Sequence, residues 1–216
     1  QPATRIVALT PSDCEILCAI GCEDALVGRG KYCDYPESIS ALPVVQSGAE
    51  TNIEEILALD PQVVLMSDMS QTEEQAKLLE QNGVKVVISD ANDIAGVYTA
   101  IRMIGALMAK DDAAEALIGD MQATFDEIAA KSEKSGKTIY FEVSPLQWGL
   151  WTAGSGTFMD ELATMCGVTN AFADISGWQS VSEEQVIERS PDYIVSIAGM
   201  GDTAVEEIMG RNVCGD

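Results

Sequence analysis

Apolar and polar positions along the chain follow two periods in turn. RIVALT (5–10) is a short apolar run of buried-strand type, and Pro11-Ser12 then opens a helix, DCEILCAIG, closed by Gly21. ALVGRG predicts a second strand, followed by the loop KYCDYPES. VVQSGAET leads into a helix at 53–59, and VVLM (63–66) reads as a third strand. TEEQAKLLEQNG is amphipathic at helical spacing and stops at Gly83, before a fourth strand, VKVVIS (84–89). Nearly continuous apolar strands in β-α-β-α order predict a parallel sheet with helices on both faces.

From Asp93 to about Lys131 the period is wholly helical. Ile94, Val97, Ile101, Ile104, Leu107 and Met108 share one spacing, and Ala114, Leu117, Ile118, Met121, Phe125 and Ile128 continue it. The span is long for a globular helix, so it reads as one long helix or as two in line, with Asp111-Asp112 marking the break. TIYFEV (138–143) opens a second alternating block. The expected organisation is an α/β fold of two Rossmann-like lobes with parallel sheets, residues 1–92 and 135–216, bridged by helix over 93–134.

The second block repeats the first. Glu161 to Gly167 matches Glu15 to Gly21 in spacing, and SEEQVIERSP (182–191) echoes NIEEILALDP (52–61), each followed by a strand. Asn52 with Glu55, and Ser182 with Gln185, have the spacing of capping boxes. Glu54 and Glu184 then stand at the second helical position, where the helix dipole favours an anion by about 0.3–1 kcal/mol. Singly, such a glutamate needs no further role. At equivalent points on two lobes, the pair offers matched negative groups on one outer face.

Charge narrows the partners. With 35 acidic residues against 12 basic, the net charge of −23 excludes nucleic acid and anionic membrane as natural partners. Mean hydropathy is +0.09, yet no apolar run reaches the ~18–20 residues of a membrane span. Gln-Pro-Ala-Thr-Arg ahead of the first strand resembles a trimmed mature end, which neither shows nor excludes export. Histidine is absent and no CxxC occurs, so no metal site is expected. Cys14, Cys18 and Cys22 form one helical stripe with poor disulfide geometry between neighbours. Cys33, Cys166 and Cys214 are isolated; buried free thiols are expected, and a Cys166–Cys214 bridge stays open.

RIVALTPSDCEILCAIG, LVGRGKYCDYP, NIEEILALDPQVVLMS, the long helical span and GWQSVSEEQVIERSPDYIVSI occur in this order. Together they resemble the solute-binding proteins of ABC importers, in the long-helix class that handles cobalamin, haem and ferric siderophores. The YCDYP loop and the GW…SEEQV segment are most similar to the cobalamin-binding members. The resemblance implies an extracytoplasmic protein with no cofactor of its own, carrying a corrinoid in the cleft between two lobes. Its partner is then a permease dimer, with membrane association only through an anchor absent from this chain. By position, Glu54 and Glu184 match the family's two lobe-surface glutamates, which dock onto arginines of the permease. Family members continue past the position of Asp216, so the second lobe reads as truncated.

A corrin ring calls for flat aromatic surface and hydrogen bonds to its amides. Tyr32 matches the family's pocket tyrosine, Tyr35 shares its loop, and Trp178 matches a ligand-contacting tryptophan. Where the family carries a second tryptophan ahead of the first capping box, this chain has Gly48. Trp148 and Trp151, in a loop leading into a helix, are candidates for the missing aromatic wall; at i, i+3 spacing, only one need face a ligand. Haem or a ferric siderophore is the alternative within the class, with Arg29 as the main candidate for an anionic siderophore. An enzyme using Glu142, Asp160 and Glu161 is a more distant alternative, since no nucleophile–base pairing stands out.

Overall fold

Along the strand Ile6–Ala8 (β1), successive side chains enter two different cores. Ile6 and Ala8 pack with the helix Pro11–Ala19 (α1) and with two later helices, Ile94–Leu107 (α4) and Asp111–Lys131 (α5). Val7 and the following Leu9 pack with Ile53–Ala58 (α2) and Glu73–Gln81 (α3). Helices on both faces explain why β1 is apolar throughout. The computed structural model describes residues 2–48, 50–198 and 201–211. It divides into two compact units, 1–91 with 95–121 and 92–94 with 122–216.

The first unit holds a fully parallel five-stranded sheet in the order β3-β2-β1-β4-β5, adding Leu26–Gly30 (β2), Val44–Val45 (β3), Val63–Met66 (β4) and Lys85–Ile88 (β5). The two-residue β3 was not foreseen. The helical span is broken into α4 and α5 by Ala109, at φ 52°. Lys110 N–H donates to Gly105 O and Ala109 N–H to Ala106 O, the pair of bonds that closes a helix with a left-handed residue. A Cβ on Gly105 would lie 2.6 Å from Ala114 Cβ, so glycine lets α5 approach α4 closely. α5 begins in the first unit and ends in the second.

In the second unit, Thr138–Glu142 (β6) is the centre of a parallel sheet, β10-β6-β8, with Thr169–Asn170 (β8) and Tyr193–Ser196 (β10). Leu150–Ala153 (β7) and Trp178–Val181 (β9) form a separate antiparallel ribbon. Both ribbon segments read as loop in the sequence. Phe141 packs with the helix Phe158–Met165 (α6), and Tyr140, on the other face of β6, packs with Glu183–Arg189 (α7). A final helix, Ala204–Met209 (α8), completes the described elements.

The internal repeat is visible in local geometry. α1 and α6 both end on a left-handed glycine, Gly21 at φ 72° and Gly167 at φ 73°, with the same pair of closing bonds. α2 and α7 both hand over to proline through a left-handed residue, Asp60 at φ 49° and Ser190 at φ 46°. The capping boxes differ. Ser182 and Gln185 bond reciprocally. Asn52 accepts from Glu55 N–H, but the Glu55 carboxylate turns away and accepts from Gln46 N–H at 3.0 Å. Tertiary contact with the preceding loop takes the group that the box would have used.

Candidate ligand-binding and docking surfaces

Parallel strands bring the ends of β1, β2, β3, β4 and β5 to one edge of the first unit, the edge where open α/β sheets place ligands. The loop after β2 presents Tyr32 and Tyr35, 70% and 68% exposed. The Lys31 ammonium lies 5.5 Å from the centre of the Tyr32 ring. Between the tyrosines, Cys33 turns inward and is fully buried. Rings this exposed gain little from the core and leave aromatic surface open at this edge.

Arg29 explains how the loop is held. Its side chain is buried, and its guanidinium donates to Cys33 O at 2.9 Å and to Ser40 O at 3.0 Å. The candidate arginine for an anionic siderophore therefore faces into the protein and braces the loop. Gly30 is needed beside it, since a Cβ there would sit 2.4 Å from Leu9 O.

Gly48 lies beyond β3 at φ 107°, a conformation that disfavours any side chain, although a Cβ would meet open space. Its carbonyl accepts from the Thr51 N–H and hydroxyl. The position offers no aromatic surface.

Carboxylates mark the same edge. Asp13 is fully buried, accepting from the Thr10 hydroxyl at 2.5 Å and from the Ser89 hydroxyl. Burial pushes its pKa up. Asp68 and Asp90 follow β4 and β5, and the hydrogen bond between their carboxyl groups raises the pKa of Asp68. None of the three stood out in the sequence, because each follows a different strand and only the sheet brings them together.

In the second unit the tryptophans belong to the ribbon. Its register pairs Trp151 with Ser180 and Ala153 with Trp178, so Trp151 and Trp178 share one face as diagonal neighbours. Trp151 is 43% exposed. Trp178 is half-buried, edge-on to Phe158 at 5.6 Å and packed on the α6 core, less free than its loop reading suggested. Trp148, in the turn before β7, is 77% exposed. Both candidates of the i, i+3 pair are thus at the surface.

Glu54 and Glu184 are both exposed in the first turns of α2 and α7. The Ser182 hydroxyl and the Glu184 backbone N–H hold the Glu184 carboxyl below its ordinary pKa. Glu54 has no cationic partner among the described residues. Glu184 borders a hollow of ≈ 420 Å³, which Leu146, Glu183, Ile187, Glu207 and Arg211 also line. Arg211 is taken up by Glu142, at 2.7 and 3.0 Å, and by Glu207, so the hollow keeps an acidic rim. A larger hollow of ≈ 660 Å³ opens at the opposite, N-terminal edge of the first sheet, away from the tyrosines.

The carboxylates considered for catalysis all have structural work. Glu142 is fully buried on Arg211, Asp160 accepts from Asn170 Nδ2 at 3.0 Å, and Glu161 accepts from Ile94 N–H at 2.8 Å. No group of three or more potential metal ligands occurs among the described residues. Cys14, Cys22 and Cys33 are buried as expected, Cys18 is half-buried and Cys166 is exposed. Cys214, and with it the Cys166–Cys214 pairing, lies outside the described residues.

Comparison with known proteins agrees with this geometry. An ABC transporter substrate-binding lipoprotein of Bacillus subtilis is 32% identical over 210 residues, covering 94% of this chain and 66% of that protein. The vitamin B12-binding protein of Salmonella choleraesuis is 30% identical over 215 residues, 97% of this chain and 78% of its own length. Among solved structures, the periplasmic vitamin B12-binding protein of Vibrio cholerae superposes with a TM-score of 0.75 at 26% identity, covering 90% of this chain and 76% of that one. Residues 6–213 match the periplasmic binding protein family, and with two α/β units, matched helix termini and exposed aromatic loops, the chain belongs to that family.

Proposed function

We propose that the chain captures a corrinoid and delivers it to the permease of an ABC importer. Family membership makes it an extracytoplasmic solute-binding protein and not an enzyme, with a small-molecule ligand and an ABC permease as the implied partners. The observation that carries the corrinoid reading is the chemistry of the first unit's ligand edge. Two exposed tyrosines stand there with Asp68 and Asp90, while Arg29 is buried under the loop. Such an edge favours a flat ligand rich in neutral amides over one carrying several carboxylates. Trp148, Trp151 and Trp178 supply aromatic surface on the second unit.

All three tryptophans of the chain are in this set, so intrinsic fluorescence reports on it directly. Titration with cyanocobalamin should quench that emission with saturation, and haemin and a ferric siderophore should do so more weakly. Exposed phenols suit ferric iron as well, which makes haem the second reading. A haemin complex with a shifted Soret band that Tyr32→Phe abolishes, without any response to cyanocobalamin, would replace the corrinoid by haem.

Docking rests on Glu54 and Glu184 together. Two matched carboxylates, one per unit, fit a partner with two equivalent cationic sites. The double variant Glu54→Ala/Glu184→Ala should keep ligand affinity and lose stimulation of the reconstituted transporter's ATPase. Loss of ligand affinity with ATPase stimulation retained would show that the two glutamates serve the site and not the permease.

A further inference from the structure

We propose that Cys14 and Cys33 form a dithiol that closes to a disulfide outside the cytoplasm, tethering the loop of Tyr32 and Tyr35 to α1. The sequence gives no hint of the pair. Cys14 belongs to the stripe on α1, and Cys33 stands alone in the aromatic loop, 19 positions away. The fold brings them together: both thiols point at the carbonyl oxygen of Ala8, each sulfur 3.8 Å from it. Both are fully buried in the same core. Two thiols that share one acceptor need little movement to meet, and Ala8 itself lies in the rigid central strand.

The surroundings divide the roles. The Cys14 hydrogen bond is the largest influence lowering the pKa of Cys33, and the nearby Arg29 guanidinium adds to it. Arg29 has no carboxylate partner among the described residues and donates to the backbone of Cys33 itself. On Cys14 the same hydrogen bond and burial push the pKa up, with Asp13 alongside. Cys33, flanked by exposed loop residues and with the Arg29 guanidinium on its own backbone carbonyl, is the attacking thiolate, and Cys14, held on α1, is the resolving thiol. Access is from the loop side, where Tyr32 and Asp34 flank Cys33 and are exposed.

The oxidant is an external disulfide, either a small one such as oxidised glutathione or that of a thiol–disulfide oxidoreductase. The Cys33 thiolate attacks one of its sulfurs and expels the other as a thiolate, leaving a mixed disulfide. Cys14 then loses its proton and attacks Cys33 Sγ, expelling the second external sulfur. The protein loses two electrons and two protons, and the external disulfide becomes two thiols. This exchange depends on the extracytoplasmic location and is independent of which ligand the chain carries.

The test uses the full chain, fully reduced and then equilibrated with glutathione buffers of increasing oxidising strength. Free thiols are blocked with iodoacetamide and peptides mapped by mass spectrometry. Oxidised protein should lose two hydrogens in mass and yield a Cys14–Cys33 cross-linked peptide. Its thermal midpoint should rise by about 5–10 °C for a closed loop of this length, an effect absent in Cys33→Ser. A variant with Ser at 18, 22, 166 and 214 should give the same cross-link. Alkylation of both thiols at every poise, a glutathione adduct on Cys33 that never resolves, or a cross-link to any other cysteine would each overturn the proposal.

Discussion

Replacing Arg29 by methionine separates a bracing arginine from one that meets the ligand. Arg29 makes two charge-assisted bonds, to Cys33 O at 2.9 Å and Ser40 O at 3.0 Å, and its Nε has no partner. Bonds to a charged donor contribute about 1.5–3 kcal/mol each. Methionine fills much of the same apolar path but leaves both carbonyls without their donors. Against this, the variant no longer holds a buried cation without a carboxylate beside it, which returns part of the loss. The expected net cost is roughly 2–4 kcal/mol in the first unit. It should appear as a lower urea midpoint and as faster amide exchange across residues 31–41. Ligand affinity should fall by about tenfold for each ~1.4 kcal/mol required to reorder the tyrosine loop on binding. Arg29→Lys should recover little, because an ammonium cannot span two carbonyls as the guanidinium does. An Arg29→Met protein of unchanged midpoint and exchange that has lost all binding would refute this account and place Arg29 on the ligand.

Three further outcomes follow from buried charge and backbone geometry. Asp13 has a raised pKa, chiefly from burial, so the folded chain holds a proton that the unfolded chain has lost. Its contribution to stability is therefore greatest below the unfolded pKa and declines as pH rises to the folded value. Urea midpoints of Asp13→Asn and wild type should diverge as pH rises above the ordinary carboxylate range, and a constant difference would contradict the assignment. Arg211→Met leaves Glu142 buried and unpaired and should cost about 3–5 kcal/mol in chemical denaturation, most of which Glu142→Leu in the same chain should restore. Gly167→Ala should destabilise clearly more than Gly21→Ala. Both residues are left-handed, but only at Gly167 does the new Cβ fall 2.2 Å from a backbone oxygen, that of Glu133.

Helix ends were the most legible part of the chain, because their signals are local. Gly21, Gly83 and Gly167 close helices as their spacing indicates, and Thr or Ser hydroxyls start them. The break in the helical span was legible in Asp111-Asp112, where α5 begins, but the left-handed turn at Ala109 that makes it was not, since alanine is the strongest helix former and only tertiary packing through Gly105 and Ala114 makes the turn worthwhile. β7 and β9 are four residues each, too short for alternation to show, so Trp151 and Trp178 read as loop residues. Arg29 and Asp13 were misjudged or overlooked for one reason: a charge is read as exposed until the fold supplies the groups that let it be buried. Glu54 and Glu184 were singled out by repetition, a signal that needs no knowledge of three-dimensional contacts.

The strand β10 carries a consequence for handling the molecule. It pairs with β6 on one side, and among the described residues nothing pairs with its other side. Tyr193, Val195 and the adjoining Ile197 are 51%, 40% and 55% exposed, and no lysine or proline interrupts the strand. Open backbone donors and acceptors beside an uninterrupted apolar row form a template for another chain's strand, and natural edges usually carry a charge to prevent it. An extended segment laid along this edge would complete its hydrogen bonds, and Val195→Lys should weaken that pairing.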